Sequence, residues 1–172
     1  MADKIIIFSG KQYSGKDTVA KIMMQEMPEY KRFAMGDVIK LEYGQKKGLS
    51  YEEIEKNKPL YRQDLIDLGN WGRSQHPDYW LKKIISQPGK IMVTDVRVPH
   101  ELEIFRAAGA IAIRVEASRQ VRASRGELIG ENDVTEVGLD HITDWGFVIE
   151  NNSTYEKLKE QTFEVIKQLS AC

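Results

Sequence analysis

The chain has 172 residues, 41% of them hydrophobic and 30% charged, which suits one globular domain able to bury a full core. A formal net charge of −1 offers no bulk attraction to nucleic acid or to an anionic membrane. The one cysteine, Cys172, has no partner for an internal disulfide, which suits a reducing cytoplasm, and no apolar run is long enough for a secretion signal or a membrane span.

The opening stretch, Lys4 to Thr18, reads as an apolar strand, a Gly-to-Gly-Lys loop and a helix start. Ile5 to Phe8 is a β-rich run that can be buried on both faces. Gly10 and Gly15 let the backbone turn its N–H groups inward on a polyanion, with Lys11 and Ser14 between them, and Lys16 sets an ammonium against the outer phosphates. The helix that follows carries Val19, Ile22, Met23 and Met27 on one face. Where a P-loop ordinarily has Lys followed by Ser or Thr, Lys16 is followed by Asp17 and then Thr18. A carboxylate beside a triphosphate needs a cation between them. Asp17 is therefore expected to meet Mg²⁺ through water, and Thr18 to donate to an inner phosphate.

Tyr30 to Met35 is a short strand candidate ending at Gly36-Asp37, and Val38 to Lys47 is helical with Ile39, Leu41 and Tyr43 apolar. Ser50 and Glu53 form a capping box for a helix through Ile54. Pro59 opens another helix, whose expected buried stripe is Leu60, Leu65, Ile66 and Leu68, and Gly69 and Gly72 loosen its far end. Arg62 and Arg73 flank that helix. His76-Pro77 breaks the chain, Tyr79 to Ile85 is a short helix, and Pro88-Gly89 is a turn.

Ile91 to Asp95 is a second buried strand with a carboxylate at its end. Pro99 to Ala108 is helical, closed by Gly109, and Ala110 to Val115 is a further apolar strand. Ser118 to Arg125 is a basic helix followed by a polar stretch, Gly126 to Asp133, whereas Thr135 to Leu139 fits no one period. Phe147 to Ile149 is a strand leading to Asn151-Asn152, and Ser153 with Glu156 is expected to cap a last helix whose inward residues are Tyr155, Leu158, Val165 or Ile166, and Leu169.

Alternating strands and helices predict an α/β domain with a mostly parallel sheet covered on both faces, binding ligands at the carboxyl ends of its strands. The loop at Gly10, Asp95 with Arg97, and Asn151 all fall there. Asp95 stands where a Walker-B carboxylate meets Mg²⁺, and Arg97 would reach the transferred phosphoryl or an acceptor phosphate. Arg119, Arg122 and Arg125 share one helix face. They form either a solvated basic face or, with residues 117 to 135, a mobile lid closing over triphosphate. His76, His100 and His141 lack metal-ligand spacing, and no Asn-Lys-x-Asp guanine signature follows the loop.

With these residues in place, the chain resembles the small P-loop kinases that phosphorylate phosphomonoesters, namely phage-type deoxynucleoside monophosphate kinase and animal-type phosphomevalonate kinase. The likeness is carried by FSGKQYSGKDTVA, YRQDLIDLGNWGR, HPDYW, VTDVRVPHELEIFRAAGA, TEVGLDH and FVIENN. Animal phosphomevalonate kinases carry a second arginine directly after the first at the strand end, where Val98 follows Arg97 here, so the nucleotide acceptor is favoured. The resemblance implies a nucleoside-monophosphate-kinase-like three-layer sandwich that uses ATP and Mg²⁺ on a small-molecule acceptor, as a monomer or homodimer. It implies an acceptor pocket of Arg62, Gly69, Asn70, Trp80, Asp95, Arg97 and Glu101, with Asp37, Lys40 and Arg73 nearby. Trp80 would wall a base or simply fill the core, Glu101 would accept hydrogen bonds from base or sugar, and Asn151 would lie by the adenine. A module that only binds nucleotide would require neither Arg97 nor the lid arginines.

Overall fold

The computed structural model describes residues 1 to 171, and Cys172 lies outside the described residues. Five strands form one sheet in the order β2-β3-β1-β4-β5, and every neighbouring pair is parallel. They are β1 (Ala2–Ser9), β2 (Tyr30–Phe33), β3 (Gly89–Val93), β4 (Ile111–Glu116) and β5 (Phe147–Glu150). The helices are α1 (Lys16–Glu26), α2 (Met35–Lys47), α3 (Tyr51–Lys56), α4 (Lys58–Gln75), α5 (Tyr79–Ile85), α6 (Pro99–Ala107), α7 (Arg119–Arg125), α8 (Val134–Val137) and α9 (Tyr155–Ser170).

The continuous apolar run of β1 is explained by its central place between β3 and β4. Successive side chains of a strand point to opposite faces, so Ile5 and Ile7 enter one core with Trp80, Val93 and Phe105. Ile6 and Phe8 enter the other, with Met23, Ile113 and Val165. Each such side chain contributes about 1.5–3 kcal/mol by leaving water. The register Ile7↔Val93 and Phe8↔Ile113 brings the ends of β1, β3 and β4 to one rim, where the loops after them meet.

Several local expectations are corrected. β2 ends at Phe33, because the Asp37 carboxylate accepts the Ala34 N–H at 2.7 Å and Asp95 accepts the Met35 N–H, which starts α2 there. In α4 the predicted stripe is only partly realised: Leu60 and Ile66 are exposed and Leu65 half-buried, while Leu68 packs against the core, and the helix runs unbroken through Gly69 and Gly72, the two residues it fully buries. A Cβ on Gly72 would sit 2.5 Å from the Trp80 indole, so α4 packs through its glycines. Thr154, not Ser153, caps α9 by accepting the Lys157 N–H, and Tyr155 is exposed. The capping box at Ser50 and Glu53 forms as expected. The ambiguous segment around Thr135 contains α8, capped by Asp133. Among the described residues, no helix is long and apolar enough to cross a membrane.

Candidate active site

β1 delivers the chain to Gly10, where a Cβ would lie 2.5 Å from Ser14 Oγ and 2.6 Å from the Val115 carbonyl, so a side chain does not fit. The loop then curls, with the Ser14 N–H donating to the Lys11 carbonyl at 3.1 Å. At Gly15 the backbone is left-handed, with φ 97°, a conformation glycine adopts without strain. Helix α1 begins at once, so the amides of Lys16, Asp17 and Thr18 have no partner within the helix and present the positive end of its dipole.

Long-range donors hold the loop's carbonyls. Asn151 Nδ2 donates to Ser14 O at 2.8 Å. Arg125 donates to Tyr13 O at 2.9 Å and to Asn151 O at 2.8 Å, and Arg122, buried, reaches Gln12 O and Ala117 O. Carbonyls drawn to these donors leave the cradle to N–H groups. A cavity of about 440 Å³ lies over it, lined by Gln12 to Thr18 and Arg125. The buried Ser14 hydroxyl has no hydrogen-bond partner, which fits a polar ligand there.

These contacts give three predicted residues another place. Asn151 braces the loop from behind, its amide filling the space a Cβ on Gly15 would take. Arg122 and Arg125 are both tied to the loop's backbone, the first buried and the second exposed. Arg119 on that face is exposed and pairs with Glu131 at 2.7 Å. Lys11 is turned to Asp140 at 2.6 Å, which also faces the buried Arg114 at 3.6 Å. Glu136 accepts the Gln12 N–H at 3.0 Å. Glu136 and Asp140 escaped the residue-by-residue reading; the signal that held them was the TEVGLDH stretch itself.

Past the end of β3, Asp95 accepts the Met35 N–H with both oxygens, at 3.1 and 3.0 Å. Burial raises its carboxyl to about 6, and Glu101 and Asp37 add to the rise, whereas the Met35 N–H and Arg97 oppose it. A carboxylate so desolvated favours a cation or a proton. Lys16 lies 3.6 Å from the exposed Asp17. Glu101 is occupied at the start of α6: one carboxylate oxygen takes the N–H groups of Arg97 and Val98, at 2.8 and 3.3 Å.

The predicted acceptor residues divide. Lys40, Arg62, Gly69 and Arg73 line one cavity of about 510 Å³ together with Gly36, Ile39, Lys58, Leu65 and Ile66. Four cations on one concave surface are a receptor for an anion. Lys58 went unnoticed in the sequence because one lysine on a helix carries no pattern. Asn70 accepts from Arg73 at 2.7 Å. Asp37, buried, serves Ala34, Tyr51 and Lys40 and so supports the cavity wall. Lys40 also pairs with Glu55. Trp80 belongs to the core: it is 4% exposed, its indole N–H donates to Gly69 O at 3.0 Å, and Tyr79 meets its ring edge-on. It offers no face to a base.

Two family models match this chain. The phosphomevalonate kinase model covers residues 8–110, and the deoxynucleotide monophosphate kinase model covers residues 63–162. Solved structures share the fold at low identity. Shikimate kinase from Aquifex aeolicus vf5 is 14% identical with TM-score 0.51, over 97% of this chain and 96% of that one. TT1252 from Thermus thermophilus is 15% identical with TM-score 0.56, over 98% of each chain. A gluconokinase from Sinorhizobium meliloti 1021 is 12% identical with TM-score 0.52, over 97% and 95%. A parallel sheet of this order, a Gly-Lys loop opening α1 and matches to both family models together place the chain among the P-loop kinases of the phosphomevalonate kinase and deoxynucleotide monophosphate kinase families.

Proposed function

We propose that the protein transfers the γ-phosphoryl of ATP to the phosphate of a (deoxy)nucleoside monophosphate, giving the diphosphate. The observation that carries this reading is the four-cation cavity beside Asp95: Gly36 lines it, and the neighbouring Met35 gives its N–H to that carboxylate. The amides of Lys16 to Thr18 and the Lys16 ammonium would hold the donor phosphates, and Lys40, Lys58, Arg62 and Arg73 the acceptor's. Arg97 would stabilise charge on the phosphoryl in transit. No side-chain base is required, because the acceptor oxygen is already ionised. Residues 117 to 135 would act as a lid whose closure excludes water.

Two carboxylates suit Mg²⁺, a hard ion that takes few protein oxygens and completes its shell with phosphate and water. Asp95, half-buried with both oxygens sharing a single N–H, would meet it directly or through water, and the exposed Asp17 through water. The ion, when bound, neutralises charge on the β- and γ-phosphates.

A second acceptor, mevalonate phosphate, is favoured by one feature. Apart from its cations and glycines, the cavity is walled by Ile39, Leu65 and Ile66, which suit an aliphatic chain. A coupled ADP-release assay over the common ribo- and deoxyribonucleoside monophosphates and mevalonate phosphate separates the two. Turnover with a nucleotide supports the first acceptor, and turnover with mevalonate phosphate alone replaces it. ATP binding without transfer to any of them would reduce the protein to a nucleotide-binding module.

A further inference from the structure

Glu136 is a charged group beside the loop that the proposed transfer leaves without a task. Its side chain is only 4% exposed. The helix that carries it is capped at one end and packed at the other. Asp133 caps α8, and Leu139, just beyond, lies in the core. Between them Gly138 has no room for a side chain: a Cβ would meet Val134 O at 2.5 Å and the Arg97 carbonyl at 3.5 Å. The carboxyl end of α8 thus packs against the backbone at Arg97, and Glu136 lies just past the proposed lid.

A carboxylate withdrawn from water is costly unless it is paired and hydrogen-bonded. Glu136 meets two partners from opposite sides of the site. One oxygen accepts the Gln12 N–H at 3.0 Å, and the other faces Arg97 Nη1 at 3.8 Å. The first partner is a phosphate-loop amide, which the carboxylate takes out of the cradle. The second is the guanidinium after β3. One rigid carboxylate thus spans the donor loop and the arginine assigned to the phosphoryl in transit.

We propose that Glu136 is a positioning residue that sets the Arg97 guanidinium against the phosphate loop, so that donor and acceptor phosphates meet in line. This rests on the kinase reading above. The carboxylate touches neither phosphate, since its partners are an amide and a guanidinium of this chain. Its effect passes through Arg97, and that makes it separable from a general structural brace.

The test is a double-mutant cycle with Glu136→Gln, which keeps the shape and an acceptor for Gln12 while removing the charge. Turnover is expected to fall by about 10²-fold, the scale of a misplaced catalytic group, with KM for ATP within about threefold of wild type. In an Arg97→Ala background, Glu136→Gln is expected to change turnover by less than about twofold, because coupled residues are non-additive. A multiplicative loss in the double variant, or wild-type turnover in Glu136→Gln, overturns the proposal. If no acceptor is turned over at all, the kinase reading falls, and the link is read by NMR in the free protein. Arg97→Ala then shifts the Gln12 amide resonance in the wild-type chain and leaves it unmoved in Glu136→Gln; equal shifts in both overturn it. Should Glu136→Gln fail to fold, the half-exposed Arg97 remains a tractable site, and a Gln12 resonance indifferent to Arg97→Ala is the refuting result.

Discussion

Replacing Asp95 by Asn tests the electrostatics of the site without reference to any acceptor. Burial holds the Asp95 carboxyl at about 6, against the ordinary 3.8. The folded protein therefore binds this proton more tightly than the unfolded chain does. Stability from this group is complete below pH 3.8 and is lost as pH rises through about 6. The gap corresponds to about 3 kcal/mol between protonation states. Asn keeps an oxygen for the Met35 N–H but carries no charge, so its variant lacks this pH-dependent loss. The stability difference, variant minus wild type, should grow by about 2 kcal/mol between pH 4 and pH 7, less than the full gap because the unfolded carboxyl is already largely ionised at pH 4. For a chain of this length that is about 4–8 °C in melting temperature. The assay is thermal or urea unfolding of both proteins at the two pH values, free of divalent cation and nucleotide. A difference that is the same at pH 4 and pH 7 would refute the reasoning, whatever its size. The same variant should lose phosphoryl transfer at both.

Other substitutions probe single contacts. Gly72→Ala forces a methyl onto the Trp80 indole and should cost about 1–3 kcal/mol in urea unfolding, with nucleotide affinity unchanged; full stability would show that the helices have room. Asn151→Ala removes the amide that holds the Ser14 carbonyl and should raise KM for ATP about tenfold, the worth of about one buried hydrogen bond; a larger effect on the acceptor's KM than on ATP's would contradict it. Asp17→Ala should raise the Mg²⁺ concentration needed for half-maximal rate, and an unaltered Mg²⁺ titration would remove Asp17 from the metal. Lys58→Ala and Arg62→Ala should each raise the acceptor's KM roughly tenfold, a loss of about 1.4 kcal/mol, while KM for ATP stays put; acceptor kinetics indifferent to both would empty the cavity of its proposed role.

What could be read along the chain was whatever neighbouring residues decide among themselves. The apolar run of β1, the Gly-to-Gly-Lys loop, the capping box at Ser50 and the carboxylate ending β3 are all local patterns, and with them came the α/β architecture. α4 shows where locality fails: its apolar residues imply a buried stripe, yet Trp80 from α5 seats against its glycines and leaves Leu60 in water. The same holds for the loop's supports. Asn151 and Ser14 are 137 positions apart, Glu136 and Gln12 124, and Arg125 and Tyr13 112. No spacing rule connects such pairs. Parallel strands bring them together only once the crossovers are complete, so whether an arginine reaches a phosphate or a carbonyl was decided by the packed sheet and by nothing nearer in the chain.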